Sequence, residues 1–194
     1  MISGDFMKKN LYIDCDGVIL DTITYAFNDM KQLGVDTTNQ EDITNYFKNV
    51  NWQTLIDQGG ILNNSFEKIM SLKDSQEFES VIILTHRCSF NEGVVKTNNF
   101  NQKIPGVKVI TVPKIIKKNF AVKPEGNFLI DDDLKKIMDW VNDGGIGIWF
   151  NKDINQLIDP YVLNDSQNYY ITNNLLDLLQ INDNLKEKVY TKKL

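Results

Sequence analysis

Asp14 and Asp16 stand two positions apart at the end of an apolar run, in "NLYIDCDGVILDT", with Gly17 directly after them. On a strand, residues i and i+2 share a face, so both carboxylates point the same way and Cys15 points the other. Two more apolar runs end in polar residues: "SVIILT" in Thr85, and "NFLID" in the acids Asp131, Asp132 and Asp133. Carboxylates gathered at one edge repel each other unless a cation neutralises them or some are protonated. Oxygen donors without histidine or thiolate favour a hard ion, foremost Mg²⁺, which commonly shares its coordination with a substrate phosphate. The Thr85 hydroxyl and a nearby lysine could hold the remaining phosphate oxygens. Gly17 lets the backbone turn sharply and approach the ligand with its amides. An aspartate can serve as nucleophile in phosphoryl transfer, and a second can protonate the leaving alkoxide and then activate water.

The elements that must position these groups are legible as five short apolar runs, at 10–14, 80–85, 107–111, 127–131 and 145–150. They are continuous rather than alternating, as in a parallel sheet covered on both faces. Helical patterns lie between them, among them "NEGVVKTNNFNQK" and "DLKKIMDWVND". The second places Leu134, Ile137, Met138 and Val141 on one face, with Asp133 as its N-cap. Strand–helix alternation predicts an α/β three-layer sandwich whose ligands bind beyond the carboxyl ends of the strands. Some sixty residues separate the first two strands, far more than a crossover needs. They read as four helices, giving a core of 7–20 and 80–185 with a helical insertion at 21–79.

The chain has 194 residues, 42% of them hydrophobic, enough for a packed core. A net charge of −5 gives no general attraction for nucleic acid or anionic lipid. No stretch is long or apolar enough to span a bilayer, and the opening "MISGDFMKKN" lacks a signal-peptide pattern. Met7 offers an alternative start that would make the first six residues dispensable. Two cysteines and one histidine argue against a disulfide scaffold and a structural zinc site. These features together predict a cytoplasmic protein with no membrane partner and no stable nucleic-acid partner. The basic tail "LKEKVYTKKL" reads as solvated or frayed.

D-x-D-G-V after a strand, a strand ending in Thr, a lysine, and a strand ending in Asp-Asp occur here in one order between about Asn10 and Phe150. This set resembles the four motifs of the haloacid dehalogenase (HAD) superfamily of phosphatases. The resemblance implies a HAD-like Rossmannoid fold with a small α-helical cap inserted after the first strand. By position, Asp14 matches the nucleophile, Asp16 the general acid/base, and Thr85 the phosphate-binding hydroxyl, with Gly17 and His86 beside it in the phosphate cradle. Asp131 matches the metal ligand with Asp132 alongside, and the Mg²⁺ would also take Asp14 and the backbone carbonyl of Asp16. Dehalogenases and phosphonatases of the superfamily lack the second carboxylate, so Asp16 marks the phosphatase branch. Lysine candidates are Lys114, Lys117, Lys118 and Lys123; "KKNFAVKPEGNFLIDDD" and "WVNDGGIGIWF" resemble the 5′(3′)-deoxyribonucleotidase-like group, which selects Lys118. The implied activity is Mg²⁺-dependent hydrolysis of phosphomonoesters through an aspartyl-phosphate, on (deoxy)nucleoside monophosphates. The alternatives are another small ester such as a sugar phosphate, a polynucleotide 3′-end, or a non-catalytic binding protein of the same fold.

The remaining candidates have plainer readings. His86 reads as a positioned loop residue, and Arg87 either touches phosphate or pairs with a surface carboxylate. Cys15 packs in the core and Cys88 is an inert thiol. Tyr25, Phe27, Tyr46, Phe47, Trp52 and Phe66 form the core of the insertion, one or two of them available to stack on a base. Lys96 falls in a helix pattern and reads as a surface residue. Asp14→Asn is expected to preserve the fold and, by removing one of several repelling charges, to relieve it.

Overall fold

The computed structural model describes residues 7–163 and 167–191. The first six residues and the last three of the basic tail lie outside the described residues. The five apolar runs form β1 (Asn10–Ile13), β2 (Ser80–Arg87), β3 (Lys108–Pro113), β4 (Phe128–Asp131) and β5 (Ile146–Phe150). Two further strands follow, β6 (Ile158–Leu163) and β7 (Gln167–Thr172). The sheet order is β3-β2-β1-β4-β5-β7-β6. All neighbours pair parallel except β6, which runs antiparallel to β7 at the edge.

Eight helices accompany the sheet among the described residues: α1 (Thr22–Gln32), α2 (Gln40–Asn49), α3 (Trp52–Gly59), α4 (Ser65–Asp74), α5 (Phe90–Lys103), α6 (Lys118–Ala121), α7 (Leu134–Asn142) and α8 (Asp177–Thr191). Successive side chains of a strand face opposite sides, so β1 sends Leu11 and Ile13 one way and Tyr12 the other. Leu11 and Ile13 join Ile69 and Leu72 of α4, Phe100 of α5 and Leu178 and Ile181 of α8 in one core. Tyr12 joins Leu84 and Leu129 against Ile137 and Trp140 of α7 in the second. The predicted three layers are present. The tail read as frayed is helical as far as Thr191, and Leu185 packs on the first core.

The four helices between β1 and β2 are not equivalent. Ala26 and Met30 of α1, Tyr46 and Phe47 of α2, and Trp52 and Leu55 of α3 form a third core, on which Val95 of α5 and Cys88 also pack at its base. Helix α4 instead lies on the sheet. The chain leaves for α1–α3 and returns through a narrow neck. There Leu62 N–H donates to Ile19 C=O at 2.9 Å and Asp21 N–H to Gly60 C=O at 3.2 Å, while Leu20 and Ile61 form an antiparallel bridge. No helix among the described residues is long and apolar enough to cross a membrane.

Candidate active site

The parallel strands point their carboxyl ends at one edge, and β1 and β4 are adjacent, so Asp14 and Asp131 meet there. Both are buried, and both are met by lysines. Lys118, the first residue of α6, lies 2.8 Å from Asp14 Oδ1 and 2.6 Å from Asp131 Oδ2. Lys136 of α7 takes the opposite oxygens, 3.1 Å from Asp131 Oδ1 and 3.5 Å from Asp14 Oδ2. Each of the four carboxylate oxygens therefore faces an ammonium. Burial alone would raise the Asp14 carboxyl, but Lys118 and Lys136 outweigh it and hold the group well below the usual carboxylate range. Among the lysine candidates, Lys118 is the one that reaches Asp14. Lys117 and Lys123 pair with Asp139 and Glu125 at the surface, and Lys114 lines the cavity described below. Lys136 was not foreseen: its sequence context does not separate it from Lys135.

Asp16 is held apart from this cluster. Its Oδ1 accepts from the Thr22 hydroxyl at 2.6 Å, and its Oδ2 lies 2.5 Å from Lys96 Nζ. The reading of Lys96 as a surface residue is wrong: its side chain is fully buried. Its ammonium also meets Glu92 Oε1 at 2.6 Å, the His86 carbonyl at 3.2 Å and Thr85 Oγ1 at 3.4 Å. Burial opposes the charge on Lys96, but Asp16 and then Glu92 overcome it and keep the ammonium protonated. The missed signal was the helical spacing of Glu92, Lys96 and Phe100, which puts both charged residues in the stripe that buries Phe100.

A cavity of about 310 Å³ opens between this edge and helices α1–α3. Asp14, Asp16, Asp132, Lys114 and Lys136 supply its polar lining, and Ile23, Phe47 and Trp52 an apolar wall. Phe47 and Trp52 stack on each other with ring centroids 5.9 Å apart. Phe66 does not belong to that group; it packs edge-on against Phe100 over the sheet. Thr85 is fully buried, and its hydroxyl donates to the His86 carbonyl at 3.2 Å. His86 was read as a loop residue but lies in β2, paired with Val112 of β3; it lines the cavity while its Nε2–H donates to the Ile116 carbonyl at 3.0 Å. Arg87 sits instead by Gly93 and Thr111 around a separate surface pocket. Burial raises the Cys15 and Cys88 thiols above their ordinary value, in keeping with inert groups. Asp133 caps α7, accepting from Lys135 N–H at 2.9 Å, as its position predicted.

The acids fit a metal ion. One oxygen each from Asp14, Asp131 and Asp132 lies within 4.8 Å of the others, an all-oxygen set suited to Mg²⁺. The Asp16 carboxylate is outside this group. Asp132 keeps an exposed surface, yet crowding by the protein around it and the like charges of Asp14 and Asp131 raise its carboxyl to about 7. Gly17 makes room for it. The Gly17 amide is engaged with the Leu20 carbonyl at 2.8 Å, so the glycine supplies space rather than a free donor. At φ +81° a Cβ here would lie 2.1 Å from Asp132 Oδ2. Gly17→Ala is expected to cost about 1–2 kcal/mol through the backbone alone and to drive Asp132 out of the acid group. Calorimetric titration should show weaker divalent binding by the folded variant; unchanged binding would remove Asp132 from the ligand set.

No family model matches the chain, and no curated protein matches it. Its likenesses are to solved structures. A Bacillus subtilis protein described as a HAD-hydrolase and bound to magnesium superposes with a TM-score of 0.55 at 17% identity, over 90% of this chain and 98% of that one. A Bacteroides vulgatus protein described as a beta-phosphoglucomutase gives 0.52 at 15% identity, over 92% and 88%. A haloacid dehalogenase-like family hydrolase from Streptococcus pneumoniae gives 0.52 at 12% identity, over 90% and 98%. At such identities the likeness is one of fold, and the fold is HAD-like.

Proposed function

We propose that this chain is a phosphomonoesterase that uses Asp14 as nucleophile, Asp16 as general acid and base, and Mg²⁺ as cofactor, with (deoxy)nucleoside monophosphates as substrates. The observation that carries the reading is the buried Asp14, braced by Lys118 and backed by Asp131, at the floor of a cavity that Asp16 also lines. Supporting it are the ordered motifs of the sequence and the HAD-like fold of hydrolases, one of them described with bound magnesium.

On this reading Asp16, ion-paired with Lys96 in this structure, takes up a proton before the ester is cleaved; an oxygen of Asp14 then attacks phosphorus, the ester P–O bond breaks, and that proton passes to the departing alkoxide. Water then attacks the aspartyl-phosphate and gives its proton to Asp16. Phosphate departs as the P–O bond to Asp14 breaks, which restores both residues. Lys118 offsets the charge that accumulates between Asp14 and the phosphoryl oxygens. Mg²⁺ bound by Asp14, Asp131 and Asp132 would neutralise further charge on the transferring group. Helices α1–α3 act as the cap, limiting the site to small molecules and excluding water. A cavity of about 310 Å³ is at the small end of ligand sites and suits a monophosphate rather than a polymer. The apolar wall of Ile23, Phe47 and Trp52 favours a nucleoside over a bare sugar. We place the protein in the cytoplasm, acting without a membrane or nucleic-acid partner.

The test is turnover of 4-nitrophenyl phosphate with Mg²⁺, abolished by chelator, followed by a screen of deoxynucleoside monophosphates against sugar phosphates. No turnover of any ester would leave a binding protein; preference for sugar phosphates would redirect the substrate and keep the chemistry. Asp131→Ala is expected to raise markedly the Mg²⁺ concentration for half-maximal rate and to lower the maximum, because one of three ligand oxygens is lost. An unchanged Mg²⁺ dependence would show the ion to be elsewhere.

A further inference from the structure

Lys96 is a lysine with no exposed surface, placed on the sheet side of the cavity by α5. A buried ammonium is tolerated only when its three N–H donors find acceptors. Here Asp16 Oδ2, Glu92 Oε1 and the His86 carbonyl supply them, at 2.5, 2.6 and 3.2 Å. Its remaining side is covered by the Trp52 ring, whose centroid lies 4.7 Å from Nζ. Glu92 is itself fixed, since its Oε2 accepts from the Cys88 N–H at 2.5 Å. The ammonium is thus anchored by the end of β2 and by α5, and it grips Asp16 by one oxygen. The other oxygen is gripped by Thr22, the first residue of α1. One hold on Asp16 comes from the sheet domain and the other from the first turn of α1.

We propose that Lys96 is the positioning residue for Asp16, aiming its carboxyl at the leaving-group oxygen, with Trp52 of α3 completing the seat of the ammonium. The inference rests on the reading of Asp16 as proton donor. Through Trp52 the alignment depends on α3 holding its place against the Lys96 ammonium. Removing Lys96 should therefore injure one step, protonation of the departing alkoxide, more than attack by Asp14.

The experiment compares single-turnover release of alcohol from two esters. 4-Nitrophenyl phosphate has a leaving group that departs without a proton; an alkyl ester such as a deoxynucleoside monophosphate needs one. Asp16→Asn should slow the alkyl ester at least about 100-fold and the aryl ester only a few-fold. Lys96→Met should show the same selective pattern, with an alkyl loss of about 30-fold or more, and combining the two should be no worse than Asp16→Asn alone. Because Lys96→Met strands the buried Glu92, the comparison is repeated in a Glu92→Gln background, with thermal melting to confirm folding. Equal losses on both esters, or losses that multiply in the double variant, would overturn the positioning role while Asp16 stays selective. If Asp16→Asn shows no ester selectivity, the assignment of the proton donor has failed, and the role of Lys96 fails with it.

Discussion

Asp14→Asn should lower turnover by at least about 1,000-fold if Asp14 is the nucleophile proposed above, because an amide is a poor nucleophile. Lys118 would still have an oxygen to donate to, so binding of the ester should survive better than its cleavage. A variant keeping a tenth of the wild-type rate would remove Asp14 from the nucleophile's role. The expected effect on stability reverses what repulsion among the acids suggested. Asp14 is not an uncompensated charge: Lys118 and Lys136 stand at 2.8 and 3.5 Å from its two oxygens. Neutralising it leaves two part-buried or buried ammonium groups with Asp131 as their shared partner, Lys136 keeping Asp133 at 3.9 Å besides, at a cost of about 1–3 kcal/mol. A lower melting temperature is expected, and a raised one would show that repulsion dominates after all.

Lys118→Met is expected to be as damaging and to act on both activity and stability. The lysine sits between two buried carboxylates, so its loss leaves Asp14 and Asp131 with Lys136 as their remaining cation, beside the backbone N–H groups of Cys15 and Asp133. Breaking a buried pair of this kind costs about 3–5 kcal/mol, and the rate should fall at least about 100-fold as charge on the phosphoryl group goes unbalanced. Lys117→Met and Lys123→Met are the controls. Both lysine side chains are more than half exposed where they pair with Asp139 and Glu125, and such pairs contribute about 0–1 kcal/mol. All three substitutions remove one positive charge from one segment, so a general field effect would appear in each. Comparable losses at Lys117 or Lys123 would show that contact with Asp14 is not what matters.

Much of the fold was legible because its central strands are unbroken apolar runs, a pattern that only a doubly covered sheet requires. The edge was not. β6 reads "IDPYVL", with a proline inside it and a register shift between Ile158 and Tyr161, both tolerated where one side of a strand has no partner. β7, "QNYYIT", begins polar and offered no apolar run. An amphipathic pattern reveals a helix but not what it packs on, so α4 could not be told from α1–α3 although it lies on the sheet. Strand ends gave Asp14, Asp16 and Asp131 directly. Lys96 and Lys136 arrive from helices on long flexible side chains, and lysine at a helical position is ordinarily solvated. Only the shared stripe of Glu92, Lys96 and Phe100 hinted otherwise.

The neck between Ile19–Asp21 and Gly60–Leu62 bears on how the chain reaches this arrangement. β1 is the first of the described strands in chain order, yet it lies inside the sheet with β2 on one side and β4 on the other. At the β4 side Asn10 is bonded to Asn127, 117 positions away. Closing so long a loop is entropically costly before its contacts form, and such pairings slow folding. Helices α1–α3 have their own core and are zipped at the base, so they can condense as a local excursion and bring the ends of β1 and β2 nearer in effective chain length. The β4 pairing has no such shortcut. Asp14, Lys118 and Asp131 come together only with it, so a growing chain carries no assembled site until the strand ending in Asp131 has been made.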